Sequence, residues 1–419
     1  MHVVVIGAGI IGVTSAYYLR QAGLDVTVVE RNSGVAQEAS YGNAGVIAPA
    51  YVGPWAQPGM PRKVLANLLR PHAPIVFRPT LDRALWRWLL RWYRECALER
   101  FVRNKARMQR VAYYSREQLR MLRERLSLDY EQTAGYLQLF RSLQEFERCA
   151  PARQILADAG VPHRVLSADE CRVLEPALAP TTSLAGGVHM PDDETGNCAF
   201  FARQLKDIAE DDGVVFRFGA QVSAIDVQGG AMTGVQVDDT RLAAELCVLA
   251  AGVESAAHLA ALGIDVALYP VKGYSATVTV TRHDLAPQLS VMDEDRKVAI
   301  TRMGQRLRIA GTAEIGARRL RLRASALRNL IRTAIDWFPA AAAYAQAQYW
   351  VGARPMLPDG PPLLGVTPIR GLLLNTGHGS SGWAMACGSA RIVADLAVGR
   401  QPEIDLDGLT LARYTGQAA

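Results

Sequence analysis

The stretch VVVIGAGIIG at residues 3–12 decides the fold of this chain. Its apolar run predicts a strand, its glycines in GxGxxG spacing predict a tight turn, and a helix follows. A second apolar run, VTVV at residues 26–29, ends on the acid Glu30. This order is typical of a dinucleotide-binding βαβ unit. A glycine turn in an ordinary βαβ unit would explain the glycines but leave Glu30 a coincidence.

Each residue of this unit has a predicted role. Gly7 permits the tight turn, and Gly9 lets the backbone approach a pyrophosphate at the N-terminus of the helix. Gly12 lets that helix pack closely on the first strand. Glu30 lies eighteen residues after Gly12, where a carboxylate would accept hydrogen bonds from a ribose diol.

The composition is that of an ordinary globular protein. The chain has 419 residues, enough for two domains, and its net charge of +6 is too mild to argue for nucleic acid. Its six cysteines and seven histidines show no metal-ligand spacing, so we predict no metal site and reduced thiols in a cytoplasmic protein. No apolar run reaches about 18 residues, and no basic segment precedes the first one, so we predict neither a transmembrane helix nor a secretory signal.

The remaining pattern predicts an α/β fold with two domains. Residues 372–375 predict a strand, which is followed by a glycine turn and a helix at about 382–397. Residues 267–311 alternate apolar and polar side chains, which predicts an antiparallel sheet. We therefore predict a Rossmann-type nucleotide domain, discontinuous in sequence, and an α+β substrate domain with a mostly antiparallel sheet. The nucleotide domain is assigned residues 1–50, 185–265 and 350–419, and the substrate domain residues 51–184 and 266–349.

A basic, tryptophan-rich helix is predicted from about Leu81 to Arg125, a segment without glycine or proline. Two interpretations of it remain open. It lies in a membrane interface, as amphipathic helices with arginine and tryptophan do, or it packs its aromatic face on the protein body with its arginines in water. The first interpretation predicts a peripheral contact with the inner face of the cell membrane, and the residues that motivate it are Arg83, Arg87, Arg91 and Arg94, opposite Trp88 and Trp92.

Several longer motifs are similar to those of one family. They are SYGNAG at residues 40–45, DETG at 193–196, YPVKGYS at 269–275, AE at 313–314, RPM at 354–356, PDG at 358–360, NTGHG at 375–379, GW at 382–383 and ACGS at 386–389. Nearly end to end, the chain resembles the bacterial FAD-dependent D-amino acid dehydrogenases of the small-subunit type, within the glycine oxidase/D-amino acid oxidase superfamily. The resemblance implies hydride transfer from the Cα of a D-amino acid to flavin N5. It also implies a 2-oxo acid and ammonia as products, with the electrons passed to a quinone or another respiratory acceptor.

FAD is the cofactor that the resemblance implies, and the residues give an independent reason for it. The loop 43–45 and the third glycine turn at 377–379 would both face an isoalloxazine ring, and a nicotinamide site would not need the latter. The helix that begins near Gly382 would direct its positive N-terminal end at the ring. The predicted cofactor contacts are Gly7, Gly9, Gly12, Glu30, Arg31, Ser40, Asn43, Ala44, Gly45, Val222, Gly252, Gly377, His378, Gly379 and Gly382.

Three residues are the candidates for direct action on the substrate. Arg354 aligns with the arginine that binds the amino acid carboxylate in this superfamily, and a guanidinium matches a carboxylate with two parallel N–H donors. Tyr274 would donate its hydroxyl to the same carboxylate, whereas Lys272 in the same motif is equally well explained by a structural ion pair. His378 would contact the flavin or help to deprotonate the substrate amine, or it satisfies backbone groups in its turn.

The chain departs from the family pattern in segments expected near flavin and substrate. Tyr41-Gly42 replaces the usual Phe-Ala, Leu357 replaces a threonine, and Ser380-Ser381 replaces Thr-Leu. These changes suggest another substrate, such as D-proline or a hydroxylated D-proline. Further alternatives are an oxidase that reduces O₂ with glycine, sarcosine or a D-imino acid, and a non-catalytic flavin-binding subunit. A nucleic-acid-modifying flavoprotein is disfavoured because the basic stretch follows helical spacing and contains no nucleic-acid-binding module.

Overall fold

A computed structural model describes residues 1–67, 74–158, 160–316 and 318–415 of the chain. The strands in these residues are β1 (His2–Ile6), β2 (Asp25–Glu30), β3 (Val46–Ile47), β4 (Ile75–Phe77), β5 (Thr133–Phe140), β6 (Arg164–Ser167), β7 (Gly186–Thr195), β8 (Val215–Phe218), β9 (Val222–Gln228), β10 (Ala231–Val237), β11 (Thr240–Ala243), β12 (Leu246–Leu249), β13 (Tyr269–Thr279), β14 (Ser290–Asp293), β15 (Val298–Met303), β16 (Arg306–Ile315), β17 (Gln348–Met356), β18 (Leu363–Val366) and β19 (Leu372–Thr376). The helices are α1 (Ile10–Gln21), α2 (Met60–Asn67), α3 (Arg83–Glu95), α4 (Leu98–Leu126), α5 (Leu143–Arg148), α6 (Ala150–Asp158), α7 (Ala168–Leu174), α8 (Cys198–Asp211), α9 (Ser255–Ala261), α10 (Ala324–Trp337), α11 (Gly382–Ala397) and α12 (Ala412–Thr415).

The nucleotide-type sheet has the strand order β18-β19-β12-β1-β2-β8. All neighbours in it run parallel except β18 and β19. The apolar runs of β1 and β12 are buried on both faces, as a parallel sheet covered by helices requires. The sheet thus draws its strands from the beginning, the middle and the end of the chain, and the Rossmann-type, discontinuous fold predicted from the sequence is confirmed.

The second large sheet is mostly antiparallel and has the order β17-β13-β16-β15-β14-β5-β7-β3. The alternation seen in residues 267–311 corresponds to β13–β16, and α10 packs on one face of these strands. A small antiparallel sheet, β11-β10-β9, is separate from both. The exact domain boundaries stay a prediction, but three strands of the large sheet lie in segments assigned to the nucleotide domain. β3, in residues 1–50, pairs with β7. β7 and β17 fall in segments assigned to the nucleotide domain, yet they pair with β5 and β13 of the large sheet.

The basic segment forms two helices, α3 and α4, where the sequence predicted one. Asp82 caps α3 by accepting a hydrogen bond from the Ala84 amide, and the chain turns at residues 96–97. The turn is needed because the two helices cover different surfaces: α3 packs beside β13, whereas α4 packs against α11. Within the described ranges, no helix is long and apolar enough to cross a bilayer.

The structure corrects the membrane interpretation of α3. Trp88 and Trp92 are buried against Tyr269 and Val271, and the Trp88 indole donates to the Met356 carbonyl oxygen at 2.9 Å. These two tryptophans therefore face the protein interior and cannot contact a membrane. The packing alternative therefore holds for the face of α3 that carries Trp88 and Trp92. Other apolar side chains are exposed on the opposite face.

Candidate active site

The glycine turn has the geometry that the sequence predicts. Gly7 has a φ of +100° and donates its amide to the Val29 carbonyl at 2.9 Å, which ties the turn to β2. A Cβ added at Gly12 would overlap the carbonyl oxygen of Gly7, so α1 approaches the turn more closely than any side chain allows. Gly9 is the N-cap of α1 and faces a long cavity, leaving room for phosphate oxygens above the helix N-terminus.

Glu30 is buried at the end of β2 and is already partly bonded. Its Oε2 accepts from the Ala8 amide at 2.7 Å, and its Oε1 accepts from the backbone and side-chain nitrogens of Asn32. A carboxylate offers about four acceptor positions, so one remains for a ribose hydroxyl. Arg31 lines the same cavity but pairs with Glu38 and Glu254, so its charge is compensated within the chain. Val222 and Gly252 complete this end of the cavity wall.

The loop after β2 curves around the middle of the cavity. The Ser40 hydroxyl accepts from the Ile10 amide at 3.0 Å, and Asn43 Oδ1 accepts from the Gly45 amide at 2.7 Å. Asn43 and Ala44 line the cavity itself. Gly45 has a φ of +84° and is packed beneath them, where an added Cβ would lie 2.8 Å from the Gly196 carbonyl oxygen. Gly45 and Gly12 therefore lie behind the cavity wall, where they let neighbouring backbone segments pack closely.

The third glycine turn is fixed to β17 and leads into α11. Gly379 donates its amide to the Pro355 carbonyl oxygen at 3.1 Å, and both Gly377 and Gly379 have positive φ. His378 is buried, one ring nitrogen lies 3.0 Å from the Ser389 hydroxyl, and desolvation lowers its pKa to about 3. The imidazole is therefore neutral at physiological pH. Gly382 begins α11 at the cavity wall, so its helix N-terminus faces the enclosed space.

Arg354 is a half-buried cation whose guanidinium has a free edge for binding. It lies on β17, donates one hydrogen bond to the Lys272 carbonyl at 3.1 Å and has its guanidinium 5.8 Å from the centre of the Trp55 ring. No carboxylate of the described residues lies within 4.0 Å of it, and burial lowers its pKa to about 10. A Cβ added at Gly273 would overlap the guanidinium, so that glycine makes the space in which the side chain lies.

Tyr274 and Lys272 belong to a buried cluster. Tyr274 lines the cavity, but its hydroxyl donates to Glu314 Oε2 at 2.7 Å. The Lys272 ammonium lies 2.7 Å from Glu314 Oε1, and both side chains are 1% exposed. The structure therefore supports the ion-pair interpretation of Lys272. It does not bring the Tyr274 hydroxyl to Arg354 as a second carboxylate ligand, because Glu314 already engages it.

Three cavity residues were missed by the sequence argument. Trp55 donates its indole N–H to the Ser380 hydroxyl at 3.0 Å, and Trp350 occupies the space beside Gly42 and Gly352, where an added Cβ would overlap its ring. Lys105 of α4 reaches the cavity from the far side. Two family departures thus have a structural explanation: Gly42 admits the Trp350 ring, and Ser380 holds Trp55. The third, Leu357, is buried under Gly377 in the core of the nucleotide-type sheet.

These residues surround one cavity of about 1380 Å³, which runs from the glycine turn past the third glycine turn to Arg354. Its volume exceeds the roughly 300–1,000 Å³ of common ligand sites, as expected when a long cofactor and a substrate share one space. Three features fit a flavin dinucleotide. They are the space that the glycines leave open, the acid at the end of β2 and the helix N-termini at the cavity wall. Among the described residues, no group of three or more His, Cys, Asp or Glu side chains is arranged to hold a metal ion.

The fold and site define a flavin-dependent oxidoreductase, and the comparisons agree. Residues 2–396 match the family described as FAD dependent oxidoreductase, and the chain belongs to that family. The prediction of FAD as the cofactor is thereby confirmed.

Two similar curated proteins are both named D-amino acid dehydrogenase. The protein from Rhodopseudomonas palustris (strain HaA2) is 46% identical over 100% of this chain and 99% of its own length. The protein from Agrobacterium fabrum (strain C58) is 44% identical over 99% of this chain and 100% of its own. Among solved structures, glycine oxidase from Geobacillus kaustophilus shares the fold, with a TM-score of 0.78, 24% identity and 98% coverage of both chains.

Proposed function

We propose that this chain oxidises D-amino acids to 2-oxo acids and ammonia and passes the electrons to a quinone. Bound FAD supplies the two-electron acceptor for the hydrogen on the substrate Cα. The resulting imino acid takes up water and releases ammonia. The preference for D-amino acids rests on the two relatives of 44–46% identity that carry that name.

The observation that carries this proposal is the unpaired guanidinium of Arg354 in the same cavity as the glycine cradle. Its fork of N–H donors matches a carboxylate, and a bound carboxylate would supply the counter-charge that none of the described residues supplies. The Trp55 ring beside the guanidinium covers its other side and limits the positions that an amino acid can adopt. Orientation of this kind is the main contribution that a protein makes to a flavin reaction.

His378 has a positioning role in this proposal. Because its pKa is lowered to about 3 by burial, it is a poor proton acceptor for a substrate ammonium group. Its bond with Ser389 holds the turn between β19 and α11 in place. The substrate amine therefore loses its proton to water before the reaction. The reaction rate is expected to rise with pH as the neutral amine becomes more abundant.

Anaerobic bleaching of the flavin tests the proposal most directly. The purified protein would be mixed with D- and L-amino acids, including both enantiomers of proline and 4-hydroxyproline, and the absorbance near the flavin maximum followed. We expect bleaching by D-amino acids and none by their L-enantiomers. Bleaching by D-proline alone would support the imino acid alternative, and stoichiometric hydrogen peroxide in air would support an oxidase. A flavin that no amino acid bleaches would contradict the proposal.

We also propose that the acceptor is a membrane quinone, which the protein reaches through an exposed surface that we call the Leu/Arg patch. Its apolar members on α3 and in the preceding and neighbouring loops are all at least 47% exposed; they are Leu81, Trp86, Leu90, Tyr93, Leu320 and Leu322. Arg318 joins the two parts by pairing with Asp82 at 2.7 Å. The exposed Arg83 and Arg94 of α3 suit anionic headgroups, while leucine and tryptophan suit the membrane interface.

A further inference from the structure

We infer that Lys105 forms a second anion site in the active-site cavity and that it receives the side-chain carboxylate of an acidic D-amino acid. This inference rests on the proposed function, because it assigns the substrate class of the same site. It concerns a residue that none of the sequence motifs includes.

Lys105 is a buried cation without a partner in the described part of the chain. It lies on the inner face of α4, is 9% exposed and lines the cavity. No acidic side chain lies within 4.0 Å of its ammonium group and it makes no hydrogen bond there, while burial lowers its pKa. Transfer of a charge from water to such a position is unfavourable unless an opposite charge meets it.

Three other cations that line the cavity form ion pairs with acids. Arg148 pairs with Glu145 at 2.6 Å, Lys297 pairs with Glu294, and Arg31 pairs with Glu38. Lys105 and Arg354 share the opposite condition, since each faces the cavity without an acid. Lys63 and Arg153 also line the cavity without an ion pair among the described residues, but Lys63 is exposed to water and Arg153 lies over the Phe146 ring. Lys105 and Arg354 are more shielded from water than Lys63, and together they match a ligand that carries two negative groups.

The two cations lie next to the same short loop, at positions two residues apart. An added Cβ at Gly53 would lie 3.6 Å from Lys105 Cγ, and Trp55, two residues later, lies against the Arg354 guanidinium. The cavity wall beyond this loop is apolar, with Met60, Trp92 and Phe101 contributing to it. Such a wall suits the methylene groups of a side chain, and Lys105 suits a carboxylate at its end. D-glutamate has this order of groups.

The first test compares two substrates of equal carbon number, D-glutamate and D-norvaline, in the wild-type protein and in Lys105→Met. We expect the ratio of their kcat/KM values, D-glutamate over D-norvaline, to fall roughly 30-fold in Lys105→Met, mainly through KM for D-glutamate. Lys105→Arg should restore most of the ratio. Lys206→Met is the matched control, since Lys206 lies on the surface of α8 and pairs with Glu210. An unchanged ratio in Lys105→Met would overturn the inference, as would an effect on the quinone KM alone.

The second test measures binding without turnover. Glutarate and pentanoate would be titrated into the FAD-loaded protein, and their Kd values obtained from the change in the flavin spectrum. We expect glutarate to bind more tightly than pentanoate in the wild type, and this preference to disappear in Lys105→Met. Equal binding of the two acids by the wild type would overturn the inference. Because this readout needs no oxidation, it stays informative even if no D-amino acid bleaches the flavin.

Discussion

The two ends of the cavity treat charge in opposite ways. At the glycine turn, Glu30 accepts three hydrogen bonds and Arg31 pairs with two acids. At the other end, the half-buried Arg354 and the buried Lys105 have no acid within 4.0 Å among the described residues. The charges of the first end are largely compensated within the chain, whereas those of the second are not. On the proposed function, this difference separates the part of the site that holds FAD from the part that binds the substrate.

The largest effect is expected for Gly12→Ala at the cofactor end. The added Cβ would overlap the Gly7 carbonyl oxygen, so either α1 or the turn must move. We expect the purified protein to lose bound flavin, measured as the ratio of flavin to protein absorbance. Gly53→Ala is the control, because its Cβ would make only an ordinary 3.6 Å contact with Lys105. Full flavin content in Gly12→Ala would show that the close approach of α1 is not required.

Asp193 is a buried acid in the large sheet, and it allows the same comparison of compensated and uncompensated charge outside the two ends of the cavity. Desolvation by burial raises its pKa to about 7, so the folded protein retains a proton that the unfolded chain loses near pH 4. The folded state therefore binds more protons between these values, and stability falls as the pH rises from 4 to 7. Asp193→Asn has no such proton to lose, so its stability should not fall for this reason. We therefore expect the free energy of unfolding of the variant minus that of wild type to be larger at pH 8 than at pH 4, by on the order of 4 kcal/mol.

Chemical denaturation at the two pH values measures this change. Asp192→Asn is the matched control, because Asp192 is exposed on the same strand and should show no such dependence. A difference between wild type and Asp193→Asn that is the same at both pH values would mean that Asp193 keeps an ordinary pKa.

Arg354→Lys tests the substrate end. A lysine keeps the positive charge but cannot offer two parallel N–H donors, so it would fix the orientation of the substrate carboxylate less firmly. We expect kcat/KM for D-amino acids to fall roughly 100-fold, or about 3 kcal/mol, with flavin content unchanged. Steady-state kinetics with an artificial electron acceptor and the flavin absorbance ratio measure the two quantities. A parallel loss of flavin would place Arg354 in the cofactor end instead.

The smallest effect concerns the surface outside the cavity. Leu320→Ser combined with Leu322→Ser removes two half-exposed apolar side chains from the Leu/Arg patch without opening the core. We expect binding to anionic liposomes to weaken roughly 10-fold in sedimentation, with the rate towards a water-soluble acceptor unchanged. Val173→Ser is the control, since Val173 is 80% exposed on α7 outside the patch. Equal binding by all three proteins would remove the membrane from the proposed function.

The βαβ geometry of the glycine turn was predicted well because its requirements are local. Gly7, Gly9 and Glu30 act within one βαβ unit, so their spacing along the chain reports their arrangement in space. Helix α11 was predicted at about residues 382–397, which agrees with its observed bounds. The reason is the same, since a strand, a glycine turn and a helix follow one another along the chain.

The substrate end was harder to predict because its residues come from distant elements. Trp55, Lys105 and Trp350 line the same cavity only after the chain has folded, and no spacing along the sequence predicts this. Tyr274 shows the same limit: its motif placed it near the cavity, but Glu314, forty residues later, decides where its hydroxyl bonds. Trp88 and Trp92 were ambiguous because helical periodicity identifies a face and does not say what covers it.

The connection between β17 and the third glycine turn has a consequence for substrate length. Backbone hydrogen bonding joins Gly379 to Pro355, the residue after Arg354, so the turn is fixed to the main chain from which the guanidinium extends. The distance between the turn and the base of the Arg354 side chain is then set by the backbone, which limits how far from the turn a bound carboxylate can lie. A β-amino acid would place its amine-bearing carbon one bond too far along, and the enzyme should reject it however well its side chain fits.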